Sequence, residues 1–500
     1  MSLAVLLSRS LVGLDAPTVR VEIHLTPGLP SFSIVGLADA EVRESRERVR
    51  AAILSSGFEF PLGRLTVNLS PADIPKESGR FDLPIALGVL LVSGQAAGRS
   101  VSVMSNLVLA GELSLTGALV STRGALAIAL AVARTHCQAT LLLPNQDAAE
   151  ASRVPGITVL GATCLADVVA HLDGSVPLPP LLPSFTEASL VSHPCLSDLR
   201  GQFLARRALE IAAAGGHSML LSGTPGVGKS MLAKRLPGIL PDLTEAESLE
   251  VASIAAFAGV SHPLSVVRPF RTPHHSASLA AMIGGGLKPR PGEVSLAHRG
   301  VLLMDELPEF ERRVREALRE PLENHEIALA RANIKVVYPA DFQLVATMNP
   351  CPCGWNGHPK RACKCRPEQI LTYQSRVSGP LVDRIDLQIH VSQEKEKWLD
   401  LPKGEASPQV RERVCQAWVR QQNRQGSLNA RLNDGALDLH CAMTQSAKTL
   451  LERLIDRYYL SARSIQRVRR VARTVADLEA CRAIDAKHVA EAFQYRFKAS

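Results

Sequence analysis

Aromatic side chains are scarce: Phe, Trp and Tyr together make up 4% of the 500 residues. That scarcity argues against a protein built around aromatic platforms for stacking bases. Long apolar runs are also missing. The stretch from Ala125 to Ala133 is bracketed too closely by Arg123 and Arg134 to span a membrane. Met1 to Arg9 is apolar but has no leading basic region and no convincing cleavage site, so a secretory signal is not expected. No internal repeat is evident. A reducing cytoplasm is then the expected setting, where the ten cysteines need not form disulfides.

What is present is a globular composition, 46% hydrophobic and 21% charged, on a chain too long for one ordinary core. The formal charge of +8 is concentrated: residues 401–500 hold 18 Lys+Arg against 10 Asp+Glu, the whole excess. Such a basic region suits nucleic acid or another polyanion, and the alternative is a solvated helical surface. The proline-rich stretch Gly174 to Pro183 reads as an extended linker. Before it, alternating strands at Val19 to Leu25 and Leu65 to Leu69, with helices at Glu41 to Leu54 and Leu83 to Leu91, predict an α+β domain. After it, a helix at Ala205 to Ala214 and apolar strands at Met219 to Leu221, Gly300 to Met304 and Phe342 to Thr347 predict a parallel α/β sheet. From about residue 400 amphipathic periodicity dominates, through Leu450, Leu451, Ile455, Tyr458, Tyr459, Val468, Val471 and Val475, and predicts a helical domain.

Gly223-Thr224-Pro225-Gly226-Val227-Gly228-Lys229-Ser230 matches G-x-x-x-x-G-K-[ST] between a strand and the helix opening Met231 to Leu236. Backbone N–H groups of such a loop wrap a polyphosphate; Lys229 is expected to reach the β/γ-phosphates and Ser230 to hold Mg²⁺. Asp305 and Glu306 end an apolar strand, the arrangement in which Asp305 holds hydrated Mg²⁺ and Glu306 polarises the attacking water. Asn349 ends the next strand and is a candidate to orient that water; the alternative is a turn-forming Asn before Pro350. Arg384 is a candidate arginine finger toward a neighbouring subunit's γ-phosphate; the alternative is an ordinary pair with Asp383 or Asp386.

Together these pieces resemble the AAA+ ATPases, in particular the magnesium-chelatase-like branch and its ComM/YifB family. The strings that carry the resemblance are Ala205 to His217 with the P-loop, Arg271-Thr272-Pro273-His274-His275-Ser276-Ala277-Ser278 with Gly284-Gly285-Gly286, and Met304-Asp305-Glu306-Leu307-Pro308-Glu309-Phe310. The resemblance implies a ring-forming ATPase, hexameric, with Asn349 as sensor 1, Arg384 as the arginine finger and Arg463 at the sensor-2 position on a helical lid. It also implies an ATP-driven motor on DNA, single-stranded or branched and with little sequence preference, serving branch migration in natural transformation.

The N-terminal unit resembles the Lon-protease-like fold through Pro71-Ala72-Asp73-Ile74-Pro75-Lys76 and Leu109 to Gly117. A peptidase of that type needs a nucleophilic Ser activated by Lys. The nucleophile region here reads Gly79-Arg80-Phe81-Asp82-Leu83-Pro84, and Thr122 to Ala129 contains no lysine. Ser78 and Lys76 fall outside the pattern. The domain is therefore expected to be non-proteolytic, serving assembly or DNA guidance.

Cys351-Pro352-Cys353 and Cys363-Lys364-Cys365 place four thiols in one short loop, a candidate zinc site, although C-x-C is less usual than C-x₂-C and reduced thiols need no metal. The neighbouring Lys360, Arg361, Lys364 and Arg366 are alternative DNA contacts. His274-His275 is not expected to bind metal, since adjacent residues seldom point the same way. Lys288 and Arg290 are candidate phosphate contacts on a hairpin, and the alternative is solvated loop charge. Arg463, Arg467 and Arg470 form one helical stripe and Arg469 with Arg473 another, one of which is expected to face nucleotide and the other solvent or DNA.

The resulting expectation has four parts: a Lon-like α+β domain over 1–172, a linker over 173–194, an AAA+ parallel-sheet core over 195–398 with a Cys-rich insertion at 351–365, and a helical lid over 399–500. ATP and Mg²⁺ are the expected cofactors, with zinc at the cysteine loop. The competing readings are a metallochelatase-type motor acting on a protein partner, and a Lon-like protease or unfoldase disfavoured by the missing dyad.

Overall fold

In the computed structural model the described residues are 3–12, 14–36, 39–74, 76, 78–96, 106–135, 139–182, 193–260, 265–286, 289–331, 334–392 and 401–496. Lys288, Pro75 and residues 183–192 of the proline-rich segment lie outside them. Contacts divide the chain into two compact units, Met1–Ala188 with Ser248–Leu264, and Ser189–Glu247 with Ser265–Ser500. The sequence bounds of 195–398 place Ser248–Leu264 with the second unit. Leu249 and Ala252 instead share a core with Leu141 and Val159, a burial preference that no local motif signals.

The first unit is built on a seven-stranded mixed sheet: β1 (Leu3–Arg9), β2 (Thr18–Thr26), β3 (Ser31–Val35), β4 (Arg64–Ser70), β5 (Leu107–Leu109), β6 (Thr140–Pro144) and β7 (Thr158–Ala162). Their order is β3-β4-β2-β1-β5-β6-β7, antiparallel where β2 pairs with β1 and β4 and parallel elsewhere. Alternation in β2 buries Val19, Val21 and Ile23 completely and turns the intervening polar residues away, as period 2 requires. Helix Ala40–Ser55 starts at Asp39, whose carboxylate accepts from Val42 N–H at 2.9 Å. Helix Asp82–Val92 is apolar on all sides and accordingly almost wholly buried. The described start of the proline-rich segment is extended, with Leu181 N–H donating to Val159 O at 2.9 Å.

The second unit holds an all-parallel sheet of β8 (Met219–Ser222), β9 (Phe270–Arg271), β10 (Val301–Met304), β11 (Gln343–Met348) and β12 (Leu387–His390), in the order β9-β10-β11-β8-β12. Unbroken apolar strands are what a sheet covered on both faces demands, and β8 and β10 are buried along their full length. Helix Phe203–Gly215 leads into β8. The helix after the P-loop covers only Lys229–Ala233, shorter than the expected run to Leu236, with Pro237 close behind.

Two antiparallel hairpins leave the sheet, Gly284–Gly285 with Arg290–Pro291 and Glu326–Arg331 with Ile334–Pro339. Helices Ser407–Gln425, Asp434–His440, Gln445–Tyr458, Ala462–Leu478 and Ala486–Gln494 follow. Val468, Val471 and Val475 are buried as their spacing predicts, and complete burial of each contributes about 1.5–3 kcal/mol. Tyr459 differs. It ends helix Gln445–Tyr458 at φ 51° and is 92% exposed. Among the described residues no helix is long and apolar enough to cross a membrane.

Candidate functional site

Three functional strings end at one edge because their strands are parallel neighbours. Ser222 of β8 is level with Met348 of β11, and Met304 of β10 with Ala346, so the loops after all three strands emerge side by side. The P-loop leaves β8 with Gly228 at φ 91°, a left-handed conformation that glycine adopts without strain. Lys229 is almost fully buried there. Its ammonium donates to Gly223 O at 2.7 Å, Thr224 O at 3.0 Å and Asn349 Oδ1 at 3.1 Å. Burial lowers the Lys229 pKa, and the charges of Asp305 and Glu306 oppose that shift.

Ser230 Oγ donates to Asp305 at 2.9 and 3.0 Å from its two oxygens. The residues expected to hold Mg²⁺ are thus in contact, which fits a hydrated cation bound through a hydroxyl and a carboxylate. Thr347 was not anticipated. Its hydroxyl donates to Asp305 Oδ1 at 2.5 Å and accepts from Glu306 N–H at 3.0 Å, fixing both acids. It sits inside an apolar strand, where a lone threonine carries no distinguishing signal. Glu306 itself has φ 56°, which turns the chain sharply out of β10. Tyr373 was also missed. It is buried beside this edge, with its pKa pushed up to about 12 first by burial and then by the charge of Glu309.

Immediately after Asn349, Cys351, Cys353, Cys363 and Cys365 bring their sulfurs within 4.8 Å of one another. Cys351 to Cys353 is 3.4 Å, and Cys363 is 3.6 Å from each. These spacings are far too long for disulfides and close to the edge, about 3.8 Å, of a tetrahedron with 2.3 Å Zn–S bonds. The donor set therefore fits zinc. The loop also touches the nucleotide cradle: a Cβ on Gly354 would lie 2.5 Å from Pro225 Cγ. Trp355, His358, Lys360 and Arg361 share a cavity of about 290 Å³ with Pro225, Gly226 and Val227. Arg361 stacks over Trp355 at 4.4 Å. Two of the basic residues offered to DNA thus line the rim of the P-loop.

Arg384 pairs with neither Asp383 nor Asp386. Its Nη2 lies 2.5 Å from Glu323 Oε1, and Arg463 Nη2 lies 3.7 Å from the same oxygen. Both arginines line one cavity, to which, among the described residues, none of Gly223 to Ser230 contributes. Asp386 is held by His217 at 2.9 Å and by Arg467 instead. His217 also bonds Thr474 at 2.7 Å, so β8, β12 and helix Ala462–Leu478 meet in one buried polar network.

Both arginines of the second stripe have partners within the chain. Arg473 is buried against Asp477 and the carbonyls of Cys481 and Arg482, and Arg469 bonds Asp438. With Arg413, Arg424 and Arg431 also paired to carboxylates, much of the basic excess of the last hundred residues is matched internally. Charge counted along a sequence cannot reveal such partners. Arg271 likewise grips Glu293, at 2.7 Å. The rings of His274 and His275 lie 4.1 Å apart, against the expectation that they diverge, yet no third ligand joins them among the described residues. Arg290 is exposed on its hairpin. In the first unit, buried Lys76 bonds Pro71 O while Ser78 accepts from Arg80 at 2.8 Å, and no hydrogen bond joins the two among the described residues.

Comparison with known proteins agrees with this geometry. Descriptions of magnesium chelatase subunit ChlI match residues 195–399 and, separately, 21–147, and that of its C-terminal domain matches 404–496. Competence protein ComM of Haemophilus influenzae is 44% identical over 99% of this chain and 98% of its own. YifB of Escherichia coli is 44% identical over 99% and 97%. The magnesium-chelatase 67 kDa subunit of Chlorobaculum parvum is 28% identical over 31% of this chain and 23% of its own. With a P-loop ATPase core on a parallel sheet and a C-terminal helical domain, the chain belongs to the ComM/YifB family of magnesium-chelatase-like AAA+ proteins.

Proposed function

We propose that the chain is the subunit of a ring-forming, hexameric motor that hydrolyses ATP to move DNA, in branch migration during natural transformation and recombination. The observation that carries the ring is the separation of the two halves of the chemistry. Lys229, Ser230, Asp305, Glu306 and Asn349 gather at the strand ends, whereas Arg384 and Arg463 open into a different cavity. A finger that stabilises charge on the transferred phosphoryl group must reach it, so the arginines of one copy serve the nucleotide of the next. Arg463, at the sensor-2 position on the lid, then acts beside Arg384, toward a neighbour.

Within the cradle, Lys229 gives up its carbonyl partners to the β/γ-phosphates, and Asn349 orients the attacking water that Glu306 polarises. Ser230 and Asp305 would hold Mg²⁺, which neutralises charge on the phosphate oxygens. Cys351, Cys353, Cys363 and Cys365 would hold a zinc ion that fixes the fold of the loop against Pro225. The DNA reading is supported by the near full-length likeness to a competence protein and by the exposed Arg290, Lys364 and Arg366. The N-terminal unit serves assembly or DNA guidance, consistent with the lack of a hydrogen bond between Ser78 and Lys76 among the described residues.

The test is ATP hydrolysis with and without single-stranded or branched DNA over a salt series. DNA stimulation that falls steeply with salt is expected, since phosphate contacts release counterions. Stimulation absent for every DNA structure but present with a protein partner would sink the DNA reading. It would favour the second reading, a metallochelatase-type motor subunit, which the magnesium-chelatase matches recommend.

A further inference from the structure

We propose that Glu323 is a positioning residue whose carboxylate holds the place of a phosphate between Arg384 and Arg463, and yields it only to a neighbour's triphosphate. This rests on the reading of those arginines as acting on the next copy's nucleotide.

The cavity around Glu323 measures about 290 Å³ and is lined by five arginines against two carboxylates. Asp386 is committed to His217 and Arg467, and Arg431 is committed to Asp341. That leaves Arg384 and Arg463 on the carboxylate of Glu323, and Arg470 beside the Asp386 that Arg467 already holds. Arg384 and Arg470 each keep a buried Nε with no hydrogen-bond partner among the described residues. With Arg431 set aside, four guanidiniums around two carboxylates leave two positive charges unmatched, a surplus that suits a polyphosphate, whose several oxygens accept from guanidinium forks.

The two halves of the pair are held very differently. Arg384 is rigid: its backbone carbonyl accepts from Ser218 Oγ at 3.1 Å and Arg467 Nη1 at 2.9 Å, and its own Nη1 donates to Pro380 O at 2.7 Å. Its side chain is 7% exposed. Glu323 is 45% exposed, near the end of helix Arg319–Asn324, where His325 turns away at φ 60°. An incoming anion therefore displaces the acid and finds the arginine already in place. The γ-phosphate of a triphosphate carries more charge than the carboxylate and extends one phosphate further than a diphosphate, so it wins an exchange in which the diphosphate competes poorly. Once the terminal phosphate is gone, the carboxylate reclaims Arg384 and Arg463, and the interface is released. Glu323 thereby makes engagement between copies selective for triphosphate over diphosphate.

The experiment uses the full chain with Glu306→Gln to block hydrolysis, and follows assembly by sedimentation velocity against ATP and ADP. Glu323→Gln keeps an acceptor oxygen and removes the charge. It should lower the ATP concentration for half-maximal assembly about fivefold, the size of one partly exposed ion pair, and should let ADP drive assembly as well. Glu323→Ala should shift in the same direction. An unchanged ATP requirement with ADP still inert, or weaker assembly in both variants, overturns the proposal. The underlying reading is tested separately by mixing Lys229→Ala with Arg384→Ala subunits. Restored hydrolysis in the mixture upholds it, and if Glu323→Gln is then without effect only the role of Glu323 falls. No restored hydrolysis removes the reading itself.

Discussion

Lys229 Nζ donates to Asn349 Oδ1 at 3.1 Å, joining the P-loop lysine to the amide at the end of the adjacent strand. The bond joins the lysine proposed to bind phosphate to the amide proposed to orient the attacking water. Lys229→Ala should therefore abolish tight nucleotide binding, whereas Asn349→Ala should leave binding within a few-fold and cut turnover by about 100-fold. Fluorescent-nucleotide titration beside steady-state hydrolysis separates the two. Equal loss of binding in both variants would show that Asn349 serves only the cradle.

Glu306 and Asp305 differ in their partners, and their variants should differ too. Glu306→Gln should bind ATP and hydrolyse it at least about 100-fold more slowly, as expected on losing a general base. Thr347→Val should weaken hydrolysis by acting through both acids, because its hydroxyl bonds Asp305 and the Glu306 backbone. A wild-type rate for Thr347→Val would show that strand packing alone sets their position.

Arg384→Ala should retain nucleotide binding and lose about 1,000-fold or more in hydrolysis, the scale of an arginine finger. Full activity would remove it from the mechanism.

The cysteine loop should contain one zinc per chain in freshly purified, unchelated protein, measured by metal analysis. Cys351→Ser or Cys363→Ser should abolish it. Because Gly354 abuts Pro225, chelation should also weaken nucleotide binding. A metal-free native protein would defeat the zinc assignment.

Asp386 gives a pH prediction. Burial alone would raise its pKa, but the charge of Arg467 and the hydrogen bond from His217 overcome this and hold it well below the usual carboxylate range. A folded-state pKa below the unfolded one gives stability that is present above the ordinary carboxylate range and lost as pH falls. Acid titration of unfolding should show that loss below about pH 4, near the unfolded carboxylate pKa. Asp386→Asn should remove the dependence and cost about 3 kcal/mol at neutral pH, since Arg467 would be left without its partner. An unchanged acid limb in Asp386→Asn would assign the loss to other carboxylates.

Much of this was legible in the chain. The P-loop string, the acids at the end of an apolar strand, Asn349, the paired C-x-C motifs and the helical period of the last hundred residues are local patterns. Phosphate cradles, strand ends and amphipathic helices impose such patterns on neighbouring positions, so a sequence displays them directly. The tertiary structure alone decided partnership. Arg384 faces Glu323 and not its neighbouring aspartates, Arg473 is buried where an exposed face was expected, Thr347 ties two acids together, and Ser248–Leu264 joins the first unit. Each of these depends on which distant segment supplies the opposite charge, the acceptor or the apolar surface. An arginine reads the same in sequence whether it is matched inside the fold or left to meet a phosphate.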